Sequence, residues 1–597
     1  MSKVVGIDFG TSTSEAALLL EGHPVVVNNS LGQKITPSVV GIAEDGSLLV
    51  GQDARDQLLL RPEETVMEIK RLMGSSEAVL LGGEEKTPPE IAACVISYLK
   101  ECAQKHQGET IDRAVITVPA FFTDEQRQAT VQAGKLAGFK VERIINEPTA
   151  AALAYGIDYL EDNQHILVYD LGGGTLDVTV LEMFQGVLEV KASSGNNQLG
   201  GKDFDQRLMD YLLEKFYREQ KIDLSQDKRA LARIKDAVEQ CKIALSHEEE
   251  YRVVLPFIVQ QRGRPLALDE EITREQFEGM IGELVESTSK PIRMALEDAE
   301  LNPKDIDLIL AVGGSTRIPL VQRFLEKELG QFPQTPVDPE LAVVMGAAIQ
   351  GGIINQELSA EKDILITDVC PYTLGIEVVG FISGFPMGDI FSVVIPRNTT
   401  IPVTREETYY TVHDNQEQVE IMVYQGDHQK ASLNNLLGNF VLEGVPPAPA
   451  SEERIKVNFS YDINGILQVE GIIASTGEKV GITIETAGVK MEKEVEDLSG
   501  WLEAPGAKKY RGLIRRAEQY LDQGIVNSPL HAELEALVEG LKKTLIQGQK
   551  KEKLQELEDE LAEMLYFLEQ DLEDQDDLED LEELEWPEEP GKKQEDQ

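Results

Sequence analysis

Val4–Leu19 reads VVGIDFGTSTSEAALL, and Leu167–Glu182 reads LVYDLGGGTLDVTVLE. Superposed at an offset of 162, the two place Asp8 on Asp170, Gly10 on Gly172 and Thr13 on Thr175. Each half is an apolar strand, an aspartate, a turn of glycines and hydroxyls, then a second strand. Small residues let backbone N–H groups approach and cradle phosphate oxygens, and Thr and Ser hydroxyls add donors. A carboxylate at each strand end can hold Mg²⁺, directly or through water. Two such clamps facing one another would grip a triphosphate from both sides. One copy alone reads better as a β-hairpin with a glycine turn. Two copies in matched register favour the clamp.

Working outward, Ile306–Pro319 (IDLILAVGGSTRIP) is a strand running into Gly313-Gly314 and then a helix, a geometry that suits a base or ribose. No GxxxxGK[ST] or GxGxxG occurs, so neither a P-loop nor a dinucleotide fold is supported. Arg113–Val118 is an apolar run suited to a buried strand; Pro119 breaks it, and Thr123–Gln126 is a capping box opening a helix through Ala137. Pro148 sits in the first turn of the helical run TAAALAY, which Gly156 closes.

The texture changes along the 597 residues. Residues 1–356 alternate strand-like and helical runs. Residues 370–487 read as β: Thr408–Val412 and Val419–Tyr424 alternate on either side of Asp414-Asn415, and Asn464-Gly465 marks a hairpin between Ile455–Tyr461 and Ile466–Ile473. After about 490, helical periods recur near 508–523, 530–547 and 550–569. Residues 551–597 carry 21 acidic and 4 basic residues, enough to keep that tail solvated. The formal net charge of −50 argues against binding a nucleic-acid backbone. The four cysteines form no CxxC pair and no metal-ligand spacing, which fits buried thiols in a reducing compartment. With no secretory leader and no run of 18 apolar residues, a cytoplasmic location is expected.

The paired clamps resemble those of the actin-like ATPase clan, which includes sugar kinases. IDFGTSTS, KRLMG (70–74), VITVPAFFTDEQRQAT (115–130), RIINEPTAAALAYG (143–156), YDLGGGTLDVTV (169–180), LGGKDFD (199–205) and VGGSTRIP (312–319) narrow the choice. Together they closely resemble the heat-shock 70 kDa chaperone family, bacterial DnaK-type. DVCPYTLGIE (368–377), RNTTIP (397–402) and DNQEQVEIMVYQGD (414–427) extend the match, so that it covers about residues 3–487 in order. The resemblance implies an α/β actin-like ATPase domain of duplicated ribonuclease-H-like halves at 1–358 and an interdomain linker at 359–369. A β-sandwich peptide-binding domain at 370–490, a helical lid-like segment at 491–570 and an acidic tail at 571–597 would follow.

The resemblance also implies roles. Lys70 reaches the γ-phosphate and water, and Thr175 positions the γ-phosphate. Asp8, Glu147, Asp170 and Asp177 surround Mg²⁺, K⁺ and the attacking water, with Asp8 and Asp170 as metal carboxylates. Gly10, Thr11, Ser12, Thr13, Gly172, Gly173 and Gly174 form the clamps. Gly200, Gly201, Glu239, Lys242, Ser246, Gly313, Gly314, Arg317 and Ile318 match the adenosine pocket, although Glu239 and Lys242, one helical turn apart, also read as a surface ion pair. Pro119, Arg127, Arg143 and Asp368 match residues that couple nucleotide state to the β domain. Ile376, Val379, Tyr409, Val412, Val419 and Ile421 match a cleft for an extended apolar peptide; without the resemblance they read as plain core. ATP/ADP, Mg²⁺ and K⁺ are the implied cofactors. Unfolded polypeptides, a J-domain cochaperone and a GrpE-type nucleotide exchange factor are the implied partners, with neither nucleic acid nor membrane among them.

Several features depart from the family. Gly74–Pro89 is far shorter than usual, which trims one lobe of the nucleotide domain. Thr367 stands where the linker usually has Leu, which should weaken linker docking by about 1 kcal/mol. Glu340 replaces an Asp. About eight extra residues lie between Ile376 and Arg397, beside the cleft. Trp501 and Pro505 interrupt the start of the helical end, and the C-terminus lacks an EEVD-like motif. An ATP-regulated peptide-binding chaperone with slow hydrolysis is the expected function. The alternative is a nucleotide-binding holdase or scaffold that cycles weakly. A small-molecule kinase is disfavoured by the β domain, which has no part in that chemistry.

Overall fold

The computed structural model describes residues 2–157, 163–184, 186–261, 264–358, 364–382, 385–483 and 507–522, with scattered positions between 534 and 565. They fall into two compact units, Met1–Val489 and Lys490–Gln597. The acidic tail, Trp501, Pro505 and the first half of the linker lie outside the described residues.

The internal repeat becomes two sheets of one design. In the first, Lys140–Asn146, Arg113–Val118, Val4–Phe9, Thr13–Leu20 and His23–Val26 lie side by side, with Thr36–Pro37 also paired to Thr13–Leu20. In the second, Leu308–Val312, Gln164–Leu171, Leu176–Phe184 and Val187–Asn196 run as one parallel pair and then two antiparallel pairs, the order the first sheet follows after one additional parallel pair. These strands are buried on both faces because helices cover them. The helix Ala342–Ile354 (AVVMGAAIQGGII) is apolar all round, as a helix wedged inside a protein must be. It approaches its neighbours at glycine: a Cβ on Gly346 would stand 1.8 Å from the Ala150 carbonyl oxygen, and one on Gly6 would stand 2.3 Å from the Ala348 nitrogen.

The expected strand Arg113–Val118 forms with those bounds, and the Thr123 capping box opens the helix Asp124–Leu136. The short segment Gly74–Pro89 retains a two-stranded ribbon, Val79–Leu81 with Glu84–Lys86, turning at Gly82 and Gly83 with φ of 63° and 79°.

The described part of the expected linker forms a strand. Leu365–Cys370 pairs in parallel with the edge strand Val187–Asn196 through Leu365, Ile366 and Thr367. Its other half, Asp368 to Cys370, pairs antiparallel with Thr399–Ile401. The second sheet therefore continues without a break from the clamp strands through Leu365–Cys370 to Thr399–Ile401.

Beyond it, two four-stranded sheets pack face to face. One orders Phe385–Ile395, Leu374–Ile382, Gln418–Gln425 and Asn435–Glu443; the other orders Val403–Tyr410, Arg454–Tyr461, Leu467–Ile473 and Lys479–Thr483. Ile376, Ile421, Val423, Phe440, Ile455, Val457 and Phe459 fill the space between them. The two alternating runs around Asp414-Asn415 thus belong to opposite sheets, and their inward faces build the core together. The hairpin at Asn464-Gly465 forms as read, closed by the Asp462 side chain, which accepts from the N–H groups of Asn464 and Ile466. The segment before Arg397, where extra residues are expected, forms the hairpin of Leu374–Ile382 and Phe385–Ile395.

In the second unit, Ala507–Asp522 is helical. Tyr510, Ile514 and Ala517 share one apolar cluster with Leu534, Val538, Leu541, Leu545, Leu561 and Leu565, at helical spacing.

Candidate nucleotide pocket and peptide cleft

The two clamp hairpins face each other across a cavity of about 420 Å³. Gly10, Thr11, Ser12 and Thr13 line it from one side, and Gly172, Gly173 and Thr175 from the other. The loops close on backbone alone: a Cβ on Gly173 would stand 2.2 Å from the Ser12 Oγ. Gly174, Gly200 and Gly201, expected to contact the ligand, stand behind the wall. Gly201 N–H donates to the Gly172 carbonyl at 2.9 Å and Lys202 N–H to that of Gly173 at 2.8 Å. The N-terminal turn of the helix Gly201–Gln220 thereby ties up the loop carbonyls. Gly172 N–H closes its own turn on the Thr175 carbonyl at 3.1 Å, and Gly10 N–H donates to the Ser14 hydroxyl at 3.2 Å, so an anion would be met by the N–H groups further round each turn.

Acidic and basic groups concentrate at the phosphate end. Lys70 Nζ lies 2.5 Å from Glu147 Oε1, with both side chains almost fully buried. Burial alone would lower the lysine, but Glu147 and Asp8 outweigh it and hold the ammonium charged above its usual range. The Asp8 carboxyl is pushed up to about 6 by burial and by Glu147. Burial and the neighbouring carboxylates drive Asp170 well above the usual range. Asp177 rises to about 7, chiefly through burial and then Glu147, although the Phe121 N–H donates to its Oδ1 at 3.0 Å. Its Oδ2 is buried without a partner. A nest of carboxylates facing one ammonium favours added positive charge. Among the described residues no three His, Cys, Asp or Glu side chains converge to hold a metal alone. Mg²⁺ would then take only one or two of its ligands from carboxylates and the rest from phosphate and water, as it commonly does.

At the far end, Glu239, Lys242, Ser246, Gly313, Gly314, Arg317 and Ile318 line the same cavity. Glu239 and Lys242 do not pair with each other. Glu239 meets Arg55 at 2.5 Å and Lys202 at 2.9 Å, while Lys242 meets Asp205 at 2.8 Å. Burial works against the Glu239 carboxylate, but Lys202, Arg55 and Lys242 hold it down at about 2. Glu340 keeps a carboxylate in the wall, 3.3 Å from Arg317. Glu15, Arg55, His247, Ser315, Pro339 and Val343 also line the cavity, and sequence reasoning missed them. For Glu15 a signal existed, because the same offset of 162 places it on Asp177. Arg55 reaches the cavity from the helix Gln52–Leu58 through a contact that no local pattern encodes.

A family model described as Hsp70 protein matches residues 4–594. The chain belongs to the Hsp70 family. That family comprises ATP-dependent chaperones that hydrolyse ATP with Mg²⁺ and act on unfolded polypeptides with cochaperones. Among the described residues no helix is long and apolar enough to cross a membrane.

In this Hsp70 a second cavity, about 560 Å³, opens in the sandwich. Ile376, Val379, Tyr409, Val412, Val419 and Ile421 all line it. It opens because Leu374–Ile382 and Gln418–Gln425 pair only from Leu374 to Ile376 and then part. From Glu377 onward the first strand has a hydrogen-bonding edge that, among the described residues, no strand occupies. Such an edge can take an extended chain by β-addition. The Tyr409 hydroxyl is held 3.0 Å from Ser392 Oγ.

Pro119, Arg127, Arg143 and Asp368, expected to couple the two regions, gather near where the sandwich meets the clamp-bearing sheets. Arg127, 4% exposed, donates to the Ala120 carbonyl at 2.8 Å and to Asn146 Oδ1 at 2.9 Å, and its stem packs against Gly465. Asn464 Oδ1 accepts from Ile144 N–H, and Asp124 Oδ1 accepts from Leu467 N–H. Asp368 accepts from Thr149 Oγ1 at 3.2 Å; burial pushes its carboxyl up, against the opposing pull of the Val369 N–H, Arg127 and Arg143. Pro119 ends the strand Arg113–Val118, and two residues on, the Phe121 ring stacks on Tyr372 with centroids 4.5 Å apart.

Proposed function

We propose that this Hsp70 binds extended apolar peptide segments in the sandwich cleft and releases them under control of ATP binding and slow hydrolysis in the clamp cavity. The linker strand carries the reading. It hydrogen-bonds to the nucleotide sheet through Leu365–Thr367 and to the sandwich through Asp368–Cys370, so a shift in the second clamp's sheet bears directly on the cleft-bearing domain.

In this reading Gly10–Thr13 and Gly172–Thr175 would hold the phosphates. Glu239, Lys242, Ser246 and the Gly313–Ile318 turn would hold the adenosine, and Asp8 and Asp170 would hold Mg²⁺, with K⁺ beside them. The bound metal would supply charge neutralisation at the phosphates. Lys70, fixed by Glu147, would stabilise charge on the transferred phosphoryl group, Thr175 would position it, and Glu147 and Asp177 would orient water. A J-domain cochaperone and a GrpE-type exchange factor would set the pace of the cycle, in the cytoplasm. Glu377 and Glu420 line the cleft together with the apolar residues.

Fluorescence anisotropy of a labelled extended apolar peptide on the full chain, before and after Mg-ATP, tests this. Rapid release on ATP in the wild type, slowed about tenfold in Asp368→Asn, is the expected result. Tight binding indifferent to ATP would mean uncoupled domains, and no binding would sink the cleft assignment.

A further inference from the structure

Glu15 has no part in the roles above, yet it faces the same cavity. It lies on the strand Thr13–Leu20 directly opposite Asp8, as Asp177 lies opposite Asp170 in the second hairpin. Residues paired across two strands point to the same face, so the Glu15 and Asp8 side chains share one side of the hairpin. Glu15 is 2% exposed, and its Oε1 has no hydrogen-bond partner. The Thr13 side chain lies on the same face of the strand, near the carboxyl. A buried carboxyl oxygen left without a partner is costly, and its place in a cavity wall points to a group on a ligand.

Its charged neighbours locate it along the cavity. Asp8 and Lys70, at the phosphate end, and Glu340, elsewhere in the cavity wall, all act on it. Glu340 lies beside Gly314 and pairs with Arg317. Glu15 therefore stands between the phosphate clamps and the adenosine wall, at the level of the sugar.

Chemistry narrows the choice further. Phosphate oxygens only accept and carry negative charge, so the carboxyl repels them whenever it is ionised. Among the described residues no three acidic side chains converge here, so the proposed Mg²⁺ site at Asp8 and Asp170 needs no ligand from Glu15. A sugar hydroxyl both donates and accepts, and so pairs with this carboxyl whether or not it carries a proton.

We propose that Glu15 hydrogen-bonds a ribose hydroxyl and makes this pocket select ribonucleotides over deoxyribonucleotides. The proposal rests on reading the cavity as a nucleotide site. A site built to bond a hydroxyl rejects the analogue lacking it because its own buried group is then left unpaired.

The test compares affinities of ATP, 2′-deoxy-ATP and 3′-deoxy-ATP, by calorimetry with Mg²⁺ on the full chain, for wild type, Glu15→Gln and Glu15→Leu. Wild type should bind ATP about tenfold or more tighter than at least one deoxy analogue. Glu15→Leu should bring that ratio close to one, and Glu15→Gln, which keeps a hydrogen-bonding amide, should retain part of it. A ratio unchanged in both variants overturns the proposal. So does a wild-type chain that binds all three nucleotides alike, which needs no variant to fold. Failure of wild type to bind any of the three would instead overturn the nucleotide reading itself, and this proposal with it.

Discussion

The clamp cavity and the sandwich cleft are of similar size and are built from opposite materials. The first is lined by loop backbone and by carboxylates that burial and mutual repulsion push up, set against Lys70. The second is lined mainly by Val, Ile and Tyr side chains beside a strand edge that the sandwich leaves unpaired. Electrostatic preorganisation suits a ligand of fixed shape and charge, whereas a backbone edge with apolar pockets suits many sequences. Specificity and breadth thus reside in different kinds of surface within one chain.

That contrast can be broken most sharply at Lys70. Lys70→Ala leaves Glu147 buried without its ion pair, and single-turnover ATP hydrolysis should fall by about two orders of magnitude or more. A change below tenfold would remove Lys70 from the chemistry.

Acid should reach the nucleotide side through Glu239. Its folded-state carboxyl lies near 2 against an ordinary 4.5, so it contributes stability above about pH 4.5 that is lost as pH falls through 2. The shift corresponds to roughly 3 kcal/mol. In Glu239→Gln, chemical denaturation between pH 7 and 3 should show a lower plateau and a shallower decline than in wild type. Identical pH profiles would show that Arg55 and Lys202 do not depend on that charge.

On the cleft side, Val419→Asp places a charge among apolar side chains. The anisotropy titration should then show peptide affinity weakened about tenfold or more. Unchanged affinity would return Val419 to the role of plain core.

The smallest effect is expected at Thr367, whose Oγ1 is buried without a partner in the linker strand. Thr367→Leu removes that orphaned hydroxyl and adds apolar contact, worth about 1 kcal/mol in the docked state. Hydrogen exchange of the amides in 365–370 should slow about fivefold. Faster exchange would mean that the pocket for this side chain is too small for Leu.

Local pattern and internal symmetry made much of this legible beforehand. The strand Arg113–Val118, the Thr123 cap and the Asn464-Gly465 turn follow from residues within a few positions of one another. The clamps follow from the 162-residue repeat, and that repeat also held Glu15, visible once each strand residue is matched to its partner across the hairpin. Contacts between distant segments were not legible. Nothing near Leu365 announces that it will lie beside Val187. Nothing near Glu239 announces Arg55, so a plain pair with Lys242 remained a fair reading. The cleft residues look like core because alternation in a strand says which face is buried and nothing about where two strands part.

The split pairing of Leu365–Cys370 has a consequence for how information crosses the molecule. A strand held on one edge by parallel bonds and on the other by antiparallel bonds has only one register that satisfies both. A slip by a single residue would turn every side chain to the opposite face, sending buried Asp368 outward and the exposed Leu365 inward. Graded sliding is therefore closed to this joint. Any message it passes is binary, sent when the strand attaches and cancelled when it peels away.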